Sequence, residues 1–206
     1  MAVGRLRLLA RGPVWFGPGG TGPGLSWLLL CLCIALGAGW TSAEPLWQED
    51  DQRLRVGLKL FPAVLGGLET LDGRIAGDGD LVVAVVHEGS RETANQAAAT
   101  LRAMDPIRGH PLRAIILDAG TLDSYQGTPL GAVFVASVGL GGQRLRAWSE
   151  ELRVLVFSPF SGDVEAGAVA RIHVSDQILP FLNLVQARRA GVRFKPFLLR
   201  VAHRHE

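Results

Sequence analysis

Leu81-Val82-Val83-Ala84-Val85-Val86 is the stretch on which the fold turns. A strand with one wet face alternates polar and apolar residues, and this one offers water nothing on either side. It reads as an interior strand of a parallel sheet, covered on both faces. Further apolar runs follow at 112–117, 132–136 and 153–157. Between the first two lies a helical segment, 90–104, in which Ala94, Ala97, Ala98 and Leu101 share one face. Ser90 is its expected N-cap, with Thr93 in the first turn, and Asp105-Pro106 ends it. A second helical segment, 141–152, precedes the fourth run. Strands alternating with helices predict a mostly parallel sheet between two helical layers.

Both ends of the pattern depart from that rhythm. Upstream, Leu54, Leu58, Phe61, Leu65 and Leu68 recur at three- and four-residue steps, a helical face over 53–68. Pro62 predicts a bend or restart there. Residues 44–52 are acidic and polar and read as a flexible start, and 72–80 as a Gly/Asp loop. Downstream, runs at 168–174 and 177–183 are separated only by Ser175-Asp176, the spacing of a β-hairpin. Helical stretches at 184–190 and 196–202 close the chain. The expected fold class is therefore α/β, a three-layer sandwich whose mostly parallel sheet is flanked by helices and carries an antiparallel C-terminal hairpin.

The first 43 residues differ in kind. Arg5, Arg7 and Arg11 precede an apolar run, a small-residue tail ends Thr41-Ser42-Ala43, and no Asp or Glu occurs. That order predicts a secretory signal over 1–43, cleaved near Ala43, leaving one domain over 44–206 in the periplasm. The alternative is an uncleaved segment that anchors the chain to the inner membrane, although the apolar run is short of the roughly 20 residues a span needs. Losing the three arginines takes the basic residues from 21 to 18 against 19 acidic ones. The balance left is near neutral and gives no basic face for nucleic acid. Cys31 and Cys33, the only cysteines, lie in the same segment, so no disulfide is expected in the mature domain.

The C-terminal third carries a resemblance. The run from Phe181 through Asn183, Gln186, Arg188, Arg189 and Gly191 to Val192 is similar to the "INLxAARRAGL" signature of YfiR-like proteins. Lys195-Pro196-Phe197-Leu198-Leu199-Arg200-Val201-Ala202 stands where that family has "SSxLLxLA". Gly167 to Ile172 corresponds to its "GGMI" strand, and Val133-Phe134-Val135-Ala136 to its "HVLFI" strand. The order holds across most of 44–206, with the specific part in the last forty residues. The resemblance implies an α/β periplasmic protein that restrains a membrane diguanylate cyclase by contacting its sensor portion. Its partner would be an inner-membrane signalling protein, cyclase or kinase, and a homodimer would be in keeping. Three departures stand out: Leu60-Phe61-Pro62-Ala63 replaces the family's "EWP", the family's disulfide cysteines are missing, and Phe160-Ser161 replaces a glycine-containing stretch.

Candidate sites are few. His87 and Asp118 each follow a predicted strand, at the edge where α/β sheets place ligands. Gly139, Gly141 and Gly142 open a helix after the third strand, where backbone N–H groups can receive a small anion. A tight strand-to-helix turn explains the same glycines. Asn183, Arg188 and Arg189 are candidate partner contacts, and equally an N-cap and a cation-favoured helix end before a Gly191 cap. His203 and His205 read as exposed residues of a frayed tail. No catalytic residue, metal ligand or cofactor motif is read: HExxH, GxSxG and the P-loop are missing, and the 139–142 loop lacks the full GxGxxG fingerprint. The expected function is non-enzymatic regulation through protein binding, with a periplasmic solute-binding module for a small anion as the alternative.

Overall fold

All seven residues of β1 (Leu81–His87) are buried, as its unbroken apolar run demands. The computed structural model describes residues 44–174 and 177–205, and the predicted signal segment and the hairpin turn Ser175-Asp176 lie outside them. On one side of β1 runs β2 (Leu112–Asp118), parallel and in register from Leu81 opposite Leu112 to His87 opposite Asp118. On the other lie β3 (Ala132–Val135), β4 (Leu155–Ser158) and β5 (Ala170–Val174), all parallel. Next, β6 (Ile178–Asn183) turns back antiparallel to β5, and β7 (His203–His205) pairs parallel to β6. The order is β2-β1-β3-β4-β5-β6-β7.

Among the described residues seven helices cover this sheet: α1 (Glu44–Gly66), α2 (Glu92–Arg102), α3 (Ala119–Asp123), α4 (Gly142–Glu151), α5 (Asp163–Ala166), α6 (Leu184–Arg189) and α7 (Pro196–Val201). A 3-10 turn, Leu71–Arg74, precedes β1. The β1-to-β2 and β3-to-β4 connections leave in opposite directions along the sheet. Right-handed crossovers therefore put α2 and α4 on opposite faces. Helix α1 packs with α2, while α3, α5 and α6 pack against α4.

Each face has its own anchor. Phe61 of α1 meets Phe134 of β3 and Phe157 of β4 edge-on, at 5.3 and 5.4 Å between ring centres, and the two strand rings stack at 5.7 Å. Helix α1 comes this close because Gly57 has no side chain: a Cβ there would stand 2.6 Å from that of Pro159. On the opposite face Trp148 of α4 is buried, and its indole N–H donates to Asp123 of α3 at 2.8 Å.

Three expectations are corrected. Residues 44–52 are the first turns of α1, not a flexible start, and α1 continues through Pro62 without a restart. Proline costs a helix about 3 kcal/mol. Here Phe61, Val64 and Leu65, all fully buried, hold the helix on the sheet around it. The third correction is at the C-terminus, where the tail with His203 and His205 is edge strand β7.

Replacing Phe61 by alanine removes a fully buried ring from the contact between α1 and the sheet. A loss of about 3–5 kcal/mol is expected, measured by urea denaturation. A loss below about 1 kcal/mol, the scale of a single typical point mutation, would show that the three rings do not hold the layer.

Candidate functional site

The strand order creates one natural site. Connections from β1 and β3 part to opposite faces, so a crevice opens between the ends of these neighbouring strands, the place where doubly wound sheets take ligands. A cavity of about 230 Å³ lies there. Its apolar wall comes from Leu54 of α1, from Ala136 and Val138 beyond β3, and from Phe160 beyond β4. Asp50, Asp51 and Glu88 form its rim. Ser137 ties the two strand exits together, its Oγ accepting from the Glu88 N–H at 3.1 Å. Burial, then repulsion from Glu49, pushes the Asp50 carboxyl above its ordinary value. This rim favours a cation or a neutral apolar group over an anion.

The predicted residues divide around this crevice. His87 is buried, in register with Asp118, and its Nδ1 has no hydrogen-bond partner among the described residues. Asp118 caps α3, its Oδ1 accepting from the Gly120 N–H at 2.9 Å. Gly139 adopts φ +83°, a left-handed turn. Gly141 precedes α4 in extended conformation. Gly142 has a packing role, since a Cβ there would overlap the Ala166 carbonyl. Arg144, the cation nearest this loop, already bridges Glu88 at 2.9 Å and Asp123 at 3.2 Å. Among the described residues no cluster of three or more His, Cys, Asp or Glu side chains is arranged to hold a metal.

No family model and no curated protein matches the chain. Among solved structures it is similar to the ABC domain in complex with L-Trp from Streptococcus pneumoniae, at 9% identity over 74% of this chain and 59% of that one, with a TM-score of 0.47. It is also similar to a conserved domain protein from Vibrio cholerae, at 12% identity over 65% of this chain and 57% of the other, with a TM-score of 0.38. The chain thus spans less than two thirds of the length of either.

The C-terminal candidates lie away from the crevice. Asn183 is buried: its side-chain oxygen accepts from the Gln186 N–H at 2.9 Å and its amide donates to the Val164 carbonyl at 3.0 Å. It is the N-cap of α6. Gln186, also buried, donates to Ser149 Oγ at 2.8 Å and so fastens α6 to α4. The helix ends in a Schellman motif: Gly191 has φ +66°, its N–H donates to the Arg188 carbonyl, and Val192 N–H to that of Ala187. Arg188 and Arg189 are exposed in the last turn and line different clefts.

Two polar features escaped the reading of the sequence. Helix α5 is only four residues long, and its first residue, Asp163, accepts a hydrogen bond from buried Ser158. Arg153 takes φ +55°, rare for a side chain with Cβ. Neither leaves a periodic signature: the Ser158–Asp163 pair spans five residues between two short elements, and Arg153 depends on Arg74, distant in sequence.

Burial raises the Asp163 carboxyl, opposed by the Ser158 hydrogen bond and reinforced by Glu165. Its folded value lies above the unfolded one, so its contribution to stability is full below the unfolded value and lost as pH rises through the folded value. The Asp163→Asn variant keeps an acceptor for Ser158 and removes the buried charge. It should be at least as stable as the parent at pH 7, with the difference shrinking below about pH 4. Urea titrations at both pH values measure this, and a variant less stable at pH 7 with an undiminished deficit at low pH would contradict it.

Proposed function

We propose that this protein is a non-enzymatic, periplasmic regulatory domain of the YfiR-like kind, which binds a membrane signalling protein such as a diguanylate cyclase and lowers its output. One observation carries the reading: the residues of the C-terminal signature work together as a structural unit. Asn183 starts α6, Gln186 ties it to α4, and Gly191 ends it. The chain then pairs with the end of α1, Glu69 N–H donating to the Arg193 carbonyl and Lys195 N–H to that of Gly67, each at 2.8 Å. Leu198 of α7 packs so closely on Gly67 that a Cβ there would stand 2.6 Å from its Cδ2. A signature used in this way marks a shared framework, on which the binding surface varies.

Several polar groups at the crevice are engaged with one another. Glu88 and Asp123 are engaged by Arg144, Asp123 also by Trp148, and Asp118 by the backbone of α3. These are structural pairings that hold the crevice together. The acidic rim and apolar wall suit a small cationic or neutral ligand better than the small anion of the alternative reading.

Deleting the gene should raise cellular cyclic-di-GMP, and supplying the exported protein again should lower it. The purified protein should also bind the sensor portion of a membrane diguanylate cyclase from the same cell. Unchanged cyclic-di-GMP on both deletion and resupply would overturn the proposal.

A further inference from the structure

A second cleft lies where β4 begins, a cavity of about 520 Å³ lined by Thr70, Arg153, Arg188, Gly191, Val192 and Arg193. Half of its lining is arginine. Arg193 is only loosely paired, its Nε 3.5 Å from Glu69. Among the described residues, the guanidinium groups of Arg153 and Arg188 have neither an ion pair nor a hydrogen-bond partner. Like charges gathered in a cleft repel one another, and an anion supplied from outside relieves that repulsion.

The backbone holds this arrangement in place. Arg153 sits in the left-handed region, which residues other than glycine rarely adopt. It is held there by a fourth arginine, Arg74, whose guanidinium donates to the carbonyls of Leu152 and Arg153. Burial, then the charge of Arg153, lowers the pKa of Arg74. The Arg153 guanidinium reaches across to Gly191, where a Cβ would stand 2.9 Å from its Nη2. Gly191 thus ends α6 and also leaves the space that the guanidinium occupies.

We propose that this cleft binds a phosphate group, carried on a small soluble ester or on a lipid headgroup. A planar guanidinium presents paired N–H donors that match two oxygens of one oxyanion. A carboxylate has two oxygens and one charge, too few for three guanidinium groups lining one cleft. A phosphate monoester has three free oxygens and a charge near −1.5 to −2 at neutral pH, and meets the set more fully. Thr70 adds a hydroxyl donor at the wall. The site lies away from the crevice between β1 and β3 and does not depend on the docking proposed above.

Thermal unfolding of the purified protein with inorganic phosphate, glycerol 3-phosphate or acetate tests the soluble source, and flotation with phosphatidic acid or phosphatidylcholine vesicles tests the lipid source. A phosphate probe should raise Tm saturably, because a ligand of the folded state must, and acetate should not. If the lipid is the source, phosphatidic acid vesicles alone should retain the protein. Arg153→Gln and Arg188→Gln should each weaken the binding by about tenfold or more, roughly 1.4 kcal/mol, and Arg188→Lys by less. Arg200→Gln, on α7 outside the cleft, should leave it unchanged. Arg188 is exposed in the last turn of its helix, so its variants should keep the parent Tm without ligand. Failure of both phosphate sources would overturn the proposal, as would equal binding by all variants. Binding of an acidic peptide but of no phosphate would overturn it too, and assign the cleft to a protein partner. Since these readouts need no cyclase, they stand or fall separately from the cyclic-di-GMP measurement.

Discussion

Burial of β1 on both faces is the constraint from which the rest of the architecture follows. Its unbroken apolar run requires a helical layer above and below. Strands added on both sides of it, β2 on one and β3 on the other, send their connecting helices to opposite faces. Phe61 and Trp148 anchor those two layers. The same topology opens the crevice between the ends of β1 and β3. The position of that crevice is thus a consequence of strand order and needs no special residue to create it.

A sheet buried on both faces leaves its rims for charge, and the two rims differ. Where the parallel strands end, opposite charges neutralise one another: Arg144 bridges Glu88 and Asp123. Exposed pairs of this sort are worth about 1 kcal/mol or less each. Their larger effect is to occupy the groups that chemistry would use. Where β4 begins, three arginines line one cleft, and among the described residues only Arg193 has a carboxylate partner, the loosely paired Glu69. A near-neutral overall balance conceals this separation, because net charge counts residues without regard to where the fold puts them.

The parts of this fold legible in the sequence are those set by local pattern. The run 81–86 announced β1, the alanine stripe announced the buried face of α2, and the close spacing across Ser175-Asp176 announced the antiparallel pair β5 and β6. Asn183 and Gly191 were readable as caps because capping depends on residues three or four apart. Long-range causes were not readable. Residues 44–52 look like a polar start, yet they extend a helix that the sheet holds further along. Strand β7 has exposed residues and no alternation, and exists because β6 offers it an edge. Neither His87 nor Asp118 lines the crevice, and its apolar wall from Leu54 and Phe160 appears only when α1 lies across the sheet.

The C-terminal signature joins these two levels. Arg188 and Gly191 have sufficient local reasons to be where they are: a cation suits a helix end, and a left-handed residue suits glycine. The fold adds a reason that neither residue reveals alone. Arg153, 38 positions upstream of Gly191 in the numbering, lays its guanidinium over that glycine, and Arg74, from before β1, fixes the backbone that aims it. Any side chain at residue 191 would disturb the helix end and the guanidinium together. A helix cap and an arginine cleft therefore share one atomic requirement, the missing Cβ of Gly191. That is why a motif fully explained by capping can also line a binding site.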